Sequence, residues 1–148
     1  MTAPAHPGIG YIQACRAEIA AQIQAYRDLV GAASKASGMS LTRIDAALAA
    51  FEPAFFNNLL VALDARFRQL VPAAGGDAIA EVRLVADSLL AHGGVLAASP
   101  AIRHDAEASV LRLDVGERIA LNADDFQALC AAFLAAVEKR AGTIDSAT

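Results

Sequence analysis

The chain has 148 residues, 37 of them alanine, with 56% hydrophobic residues and a formal net charge of −4. This length suits one domain, and so apolar a chain with so little net charge collapses in water, which excludes an intrinsically disordered protein. The twelve basic residues are spread along the sequence and form no clustered basic face, which argues against nucleic acid and against the surface of an anionic membrane as partners.

No segment predicts a membrane span or a signal peptide. No run without Asp, Glu, Lys or Arg is longer than that of residues 88–102, which contains two glycines and a proline. Residues 1–10 lack both a basic start and an apolar stretch, so we expect a flexible N-terminal arm there. A flexible tail is expected at residues 142–148, which leaves a single helical domain at residues 11–141.

The first predicted helix covers residues 11–36. Apolar residues recur there at steps of three and four, as one face of a helix requires: Ile12, Cys15, Ile19, Ile23, Tyr26 and Val30. Gly38 is expected to end this helix, and Ser40 is expected to cap a short second helix that ends before Pro53.

The third predicted helix, residues 53–71, is the most apolar segment of the chain. Pro53 suits its first turn because an N–H at that position would have no partner, although a kinked continuation of the second helix is the alternative. Phenylalanines and leucines cover most of the circumference of this helix. Such a helix is normally central to its domain or lies in a subunit interface.

The fourth predicted helix runs from its N-cap, Asp77, to about His92, and Gly93 and Gly94 supply a left-handed C-cap. The last predicted helix covers residues 123–141. Asn122, with Asp125 three residues later, makes a capping pair at its start.

A small antiparallel β-hairpin is predicted before the last helix. Apolar and charged residues alternate over residues 111–115 and again over 118–121, with Gly116 at a turn between them. The residues expected to face inward are Leu111, Leu113, Ile119 and Leu121. Residues 102–104 could add a brief third strand.

The two cysteines, Cys15 and Cys130, lie far apart in apolar helical patterns. They predict buried, reduced thiols in a cytoplasmic protein, with a bridge between the first and last helices as the alternative. His6, His92 and His104 lack the Glu-x-x-His spacing of a bundle metal site, and no phosphate-binding loop or nucleophile elbow is present. We therefore predict no catalytic residue, no cofactor and no metal.

Charged residues interrupt the apolar pattern of the third and fourth helices. If their polar stripes face each other, Asp64 or Arg68 would meet Glu81 or Arg83, and Arg83 could pair with Asp87 four residues later. The candidate ligand-binding residues are Arg66, Arg68, Glu81, Arg83 and Asp87. Three interpretations remain open: a solvated face with structural ion pairs, a pocket for an anionic ligand, and catalysis by Glu81 or Asp87 acting as a base.

Several segments resemble a family of small uncharacterised bacterial proteins of about this length. They are Phe51-Glu52-Pro53-Ala54-Phe55-Phe56-Asn57-Asn58, Leu63-Asp64-Ala65-Arg66-Phe67, Glu81-Val82-Arg83, Ser88-Leu89-Leu90, Ser109-Val110-Leu111 and Val115-Gly116-Glu117-Arg118-Ile119-Ala120-Leu121. The likeness covers most of residues 51–141. The family carries Gly-Asn-Pro before its Glu-Val-Arg, where residues 75–80 of this chain read Gly-Gly-Asp-Ala-Ile-Ala, so no site on that turn is carried over. The resemblance implies a single domain and brings no activity or cofactor with it.

The sequence as a whole predicts a mainly α single domain, a bundle of four to five helices with one small hairpin. The leading functional hypothesis is a cytoplasmic, non-enzymatic module that associates with copies of itself, most simply as a dimer. Its basis is the apolar excess of the third helix and the small-residue faces around residues 46–50, which allow helices to approach closely. The alternative is a domain that binds or transforms a small anionic ligand through the Arg/Glu/Asp cluster.

Overall fold

Four helices make up the regular structure of this computed structural model, which describes residues 7–35, 41–73 and 76–146. They are α1 (Ile9–Ser34), α2 (Leu41–Phe67), α3 (Ala78–Ala91) and α4 (Ala123–Ser146). α2 packs on the other three helices and α4 does the same, whereas α1 and α3 make no direct contact within the described residues. The prediction of a mainly helical bundle is confirmed.

The helix bounds differ from the predicted ones at both ends of the domain. α1 begins at Ile9, inside the predicted arm, and α4 continues to Ser146, so residues 142–146 of the predicted tail are helical. Residues 1–6 and 147–148 lie outside the described residues, as do the predicted stop at Gly38 and the predicted cap at Ser40.

The predicted break at Pro53 is wrong, because Pro53 lies inside the continuous helix α2. Its missing N–H costs one helical hydrogen bond, and an interior proline destabilises a helix by about 3 kcal/mol. Phe56 and Leu60, in the turns that follow, are fully buried, and their packing offsets that cost. The bundle therefore has four described helices, because the second and third predicted helices form one continuous helix through Pro53.

The caps predicted for the ends of α3 and for the start of α4 are confirmed. Asp77 accepts a hydrogen bond from the backbone N–H of Ala80 at 3.2 Å. Gly93 and Gly94 follow α3 with φ angles of 63° and 81°, in the left-handed region that glycine adopts without strain. Asn122 accepts from the N–H of Asp125 at 2.7 Å.

The start of α4 is also held by a carboxylate from another helix. Glu52 of α2 accepts a hydrogen bond from the N–H of Ala123 at 3.0 Å, where negative charge is favoured by the helix dipole. Burial, together with a hydrogen bond to Glu52, raises the pKa of Tyr26 on α1 to about 12. Glu52 therefore links three helices.

The predicted hairpin is not present, and the described residues contain isolated β-bridges in place of strands. The turn at Gly116 does form, with φ 98°, but its two arms do not pair with each other. The returning arm bonds to the segment after α3: Leu96 N–H donates to the Glu117 carbonyl and Ile119 N–H donates to the Gly94 carbonyl, each at 2.8 Å. The Asn57 side chain then occupies the place of a strand partner, donating to the Ile119 carbonyl and accepting from Leu121 N–H, each at 3.1 Å.

The alternation of apolar and charged residues that suggested strands does indicate which side chains are buried. Ile119 and Leu121 are buried, and Leu111 and Leu113 pack against the core from a partly buried position. The possible third strand at residues 102–104 is reduced to a bridge between Ile102 and Ser99.

Aromatic side chains pack in two groups within the core. Tyr26 contacts Phe55 and Phe56 between α1 and α2, and Phe56 reaches Phe126 on α4. Phe67 is flanked by other rings near the opposite end of the bundle; its partners are Tyr11 and Phe133.

One face of α2 is buried and the other is exposed. The helix is central in that it packs on the other three helices, and its place in a subunit interface stays a prediction. Among the described residues, Arg43–Phe67 is the one helix that by length and composition could cross a membrane, although the core helix of a water-soluble protein passes the same test. In the most apolar stretch of this helix, only 22% of the residues are buried in the domain. The sequence analysis looked for long runs without charged residues and did not single out this helix, because Glu52 divides its apolar sequence in two.

Candidate functional site

Asp64 is the centre of the polar cluster between α2 and α3. Its residue is only 3% exposed, and its carboxylate receives one arginine on each oxygen. Arg68 Nε donates to Oδ2 at 2.8 Å, and Arg83 Nε donates to Oδ1 at 2.8 Å. Arg83 also donates to the Val71 carbonyl at 3.0 Å. The predicted meeting of Asp64 with Arg83 is confirmed.

Asp87 completes the cluster through Arg68 and not through Arg83. The Nη2 atom of Arg68 donates to Asp87, and this hydrogen bond holds the pKa of Arg68 above its usual range. The predicted Arg83–Asp87 pair is not among the ion pairs of the described residues, because each group is engaged elsewhere. Two arginines and two aspartates leave the cluster without net charge.

Two of the candidate residues lie apart from this cluster. Arg66 forms an ion pair with Glu18 of α1, and this hydrogen bond raises the pKa of Arg66. Glu81, which is 7% exposed, accepts the backbone N–H groups of Val110 and Leu111, both at 2.9 Å. The predicted group of five residues is therefore divided among three places.

The hydrogen bonds of these residues connect parts of the fold to each other. Arg68 and Arg83 already direct their Nε and Nη2 donors to aspartates and to the Val71 carbonyl, and each oxygen of Glu81 already accepts a loop N–H. No buried side-chain polar atom of the described residues lacks a hydrogen-bond partner. The geometry matches the interpretation of structural ion pairs more closely than that of a ligand pocket.

No metal site is formed by the part of the chain that the structure describes. Nowhere in it do three or more His, Cys, Asp or Glu side chains group so that they could hold an ion. His104 has a different role, since its Nε2 lies 2.6 Å from the Leu113 carbonyl.

Two surface grooves are present that the sequence did not suggest. One, of about 570 Å³, lies beside Val71 and Val137, and its Arg140 donates to Asp77 at 2.8 Å. The other, of about 440 Å³, lies between α1 and α4. Small residues at the rims, such as Ala20 and Ala131, were its only signal in the sequence, and alanine is too common here to be distinctive.

Both cysteines are buried and free, as predicted. Burial raises the pKa of the Cys15 thiol and raises that of Cys130 to about 11, with a further contribution to Cys130 from Cys15. Neither thiol is in a disulfide, so the alternative of a bridge between the first and last helices is not found.

We expect Cys130 to be alkylated by iodoacetamide at pH 8 about a hundredfold more slowly than the same thiol in unfolded protein, since the pKa rises from 9.0 to about 11. The measurement uses the wild-type protein, with alkylation of Cys130 followed by mass spectrometry of its peptide and the urea-unfolded protein as reference. The protonated thiol contributes stability that is complete below pH 9 and is lost as the pH rises through about 11. Equal rates for the folded and unfolded protein would contradict the buried position.

Comparison with protein-family models, with curated protein sequences and with solved structures found no significant match to this chain. The resemblance to a family of small bacterial proteins therefore stays a prediction.

Proposed function

We propose that this protein is a non-enzymatic, cytoplasmic helical module that forms a homodimer through the exposed face of α2. The observation that carries this proposal is a row of exposed, mostly apolar residues on α2 around Phe51, which is 43% exposed. Only 22% of the residues in the most apolar stretch of this helix are fully buried. Large exposed apolar surfaces on water-soluble proteins usually mark sites of interaction.

The exposed face follows a regular spacing. It comprises Ala47, Phe51, Ala54, Asn58, Ala62 and Ala65, which we call the α2 face. Steps of three and four residues keep these positions on one side of a helix, as in the seam of a coiled coil. α3 contacts α2 near its C-terminal end, through Arg83 and Asp64, and most of residues 43–51 at the other end of α2 are exposed.

The α2 face contains both a projecting side chain and a recess. Phe51 is 43% exposed, and a groove of about 280 Å³ runs from it past Ala54, Asn58 and Ala62. A two-fold dimer brings the same patch of each copy together. In such a dimer, Phe51 of each copy packs into the groove of the other, and the alanines allow close approach.

A membrane span is a weaker account of the same apolar helix. α2 is fixed to the domain between Glu52 and Asp64: Glu52 bonds to Ala123, Asn57 bonds to Ile119, and Asp64 bonds to Arg83. Insertion of α2 into a bilayer would break these bonds and expose the core. A second copy covers the apolar face while leaving every one of them intact.

We expect sedimentation at micromolar concentrations to give twice the 15.3 kDa mass of one chain. Replacing Phe51 by glutamate should raise the dissociation constant at least about thirtyfold, since a buried aromatic anchor contributes 2 kcal/mol or more. The matched control is Val115→Glu, because Val115 is a similarly exposed apolar residue (52%) on a loop outside the α2 face.

A wild-type monomer at high micromolar concentration would overturn the dimer. Equal weakening by Phe51→Glu and Val115→Glu would overturn the choice of face. Co-sedimentation of the wild type with phosphatidylcholine vesicles, lost in Phe51→Glu, would show that lipid covers α2 and would also contradict the proposal.

A further inference from the structure

The groove between α1 and α4 has a defined length and direction. Arg27 Nη2 donates to Gln127 Oε1 at 2.9 Å at one end, and Arg16 pairs with Glu138 at the other. The residue numbers of α1 rise as those of α4 fall, so the two helices are antiparallel. Eleven residues separate the two arginines, which is about 16 Å along a helix axis.

The floor of this groove is apolar and continuous. Ile19 and Ile23 from α1 and Cys130 and Leu134 from α4 form it, and each is buried. The rims carry Ala20 and Ala131, whose short side chains leave the space between the helices unfilled. The resulting volume of about 440 Å³ lies in the usual range of small-molecule sites.

Among the described residues that line the groove, Arg16 and Arg27 are the only ionisable ones besides Cys130, whose raised pKa keeps it neutral. The charges of this lining are therefore positive. Arg16 is neutralised by Glu138, whereas Arg27 bonds to a neutral amide and has no ion-pair partner among the residues described. One guanidinium charge therefore remains uncompensated at one end of an apolar channel, and a guanidinium binds a carboxylate with two parallel hydrogen bonds.

We propose that this groove binds a single-chain aliphatic carboxylate, with its carboxylate on Arg27 and its hydrocarbon chain along the floor toward Arg16. The apolar floor selects hydrocarbon, and the single uncompensated arginine selects one negative charge. The larger groove beside Val137 is a poorer site for an anion, because its Arg140 is already paired with Asp77. This inference is independent of the proposed dimer, which uses the α2 face.

Decanoate, a chain of suitable length, tests the site by isothermal titration calorimetry. We expect Arg27→Gln to weaken decanoate binding at least tenfold and Ala131→Leu, which fills the groove, to abolish it. Arg43→Gln is the matched control, because Arg43 is an exposed arginine on α2 that does not line the groove. The neutral analogue 1-decanol should bind wild type and Arg27→Gln equally.

Cys130 supplies a second readout, since it forms part of the floor. In the Cys15→Ser background, saturating decanoate should slow alkylation of Cys130 severalfold, and the Ala131→Leu variant should show no such protection. Absence of both binding heat and protection up to the solubility limit of decanoate would overturn the proposal. So would binding that survives in Ala131→Leu, or a change in the mass of the assembly in Ala131→Leu, which would assign the groove to contact between copies.

Discussion

Replacement of Asp64 by alanine is expected to lower the free energy of unfolding by about 3 kcal/mol or more, because it leaves a largely buried arginine without its counter-charge. The Arg83 side chain is 12% exposed and would keep only the Val71 carbonyl as acceptor. Arg68 would keep Asp87 and is more exposed, at 38%, so most of the cost falls on Arg83. Urea denaturation followed by circular dichroism at pH 7 measures this loss directly.

Asp45→Ala is the matched control for this change, since Asp45 is an exposed aspartate on the same helix. An equal effect of the two substitutions would contradict the central role of Asp64. The Asp64→Ala variant also places two arginines around an unoccupied space, so we expect inorganic phosphate to restore part of its lost stability. Wild-type protein should gain none, and a phosphate-dependent rise of its Tm would favour the anion-binding hypothesis for this cluster.

Sequence reasoning succeeded where the signal was local. Asp77 and Asn122 cap helices because a side chain needs only the N–H groups of the next turn, and the glycines after α3 end it through their own backbone freedom. The Asp64–Arg83 contact was also within reach, because a short turn joins two helices whose polar stripes could be aligned by helical spacing.

Sequence reasoning failed where a residue distant in the chain determines the local structure. Ile119 and Leu121 were correctly expected inside, but their hydrogen bonds go to Asn57, more than sixty residues away, and to Gly94 after α3. Nothing in the alternation of residues 111–121 distinguishes a strand paired with its neighbour from an extended segment held by a distant amide. The helix break predicted at Pro53 failed for a related reason, since tertiary packing overrides local propensity.

The candidate site shows the same limit. Helical spacing indicated which charged residues share a stripe on α2 and α3, but not that Glu81 is engaged by the backbone of a loop some thirty residues further on. The α1–α4 groove depends on which alanines of an alanine-rich chain face each other, and a single sequence does not specify that pairing.

Replacing Glu81 by alanine is expected to release the loop that precedes α4 while leaving the helical bundle assembled. The Val110 and Leu111 N–H groups would lose their shared acceptor, and each unsatisfied donor in a partly buried position costs about 1–3 kcal/mol. Native-state hydrogen exchange should therefore show these two amides exchanging at least tenfold faster, together with a lower Tm.

The matched control for Glu81 is Glu107→Ala, because Glu107 is an exposed glutamate in the same loop. Amides within α1 and α4 should keep their protection in both variants, since their helical hydrogen bonds do not involve Glu81. Unchanged exchange at Val110 and Leu111 in Glu81→Ala would mean that the carboxylate does not hold the loop. Glu81 would then be available for chemistry, and its pairing with the loop backbone would no longer argue against a catalytic role.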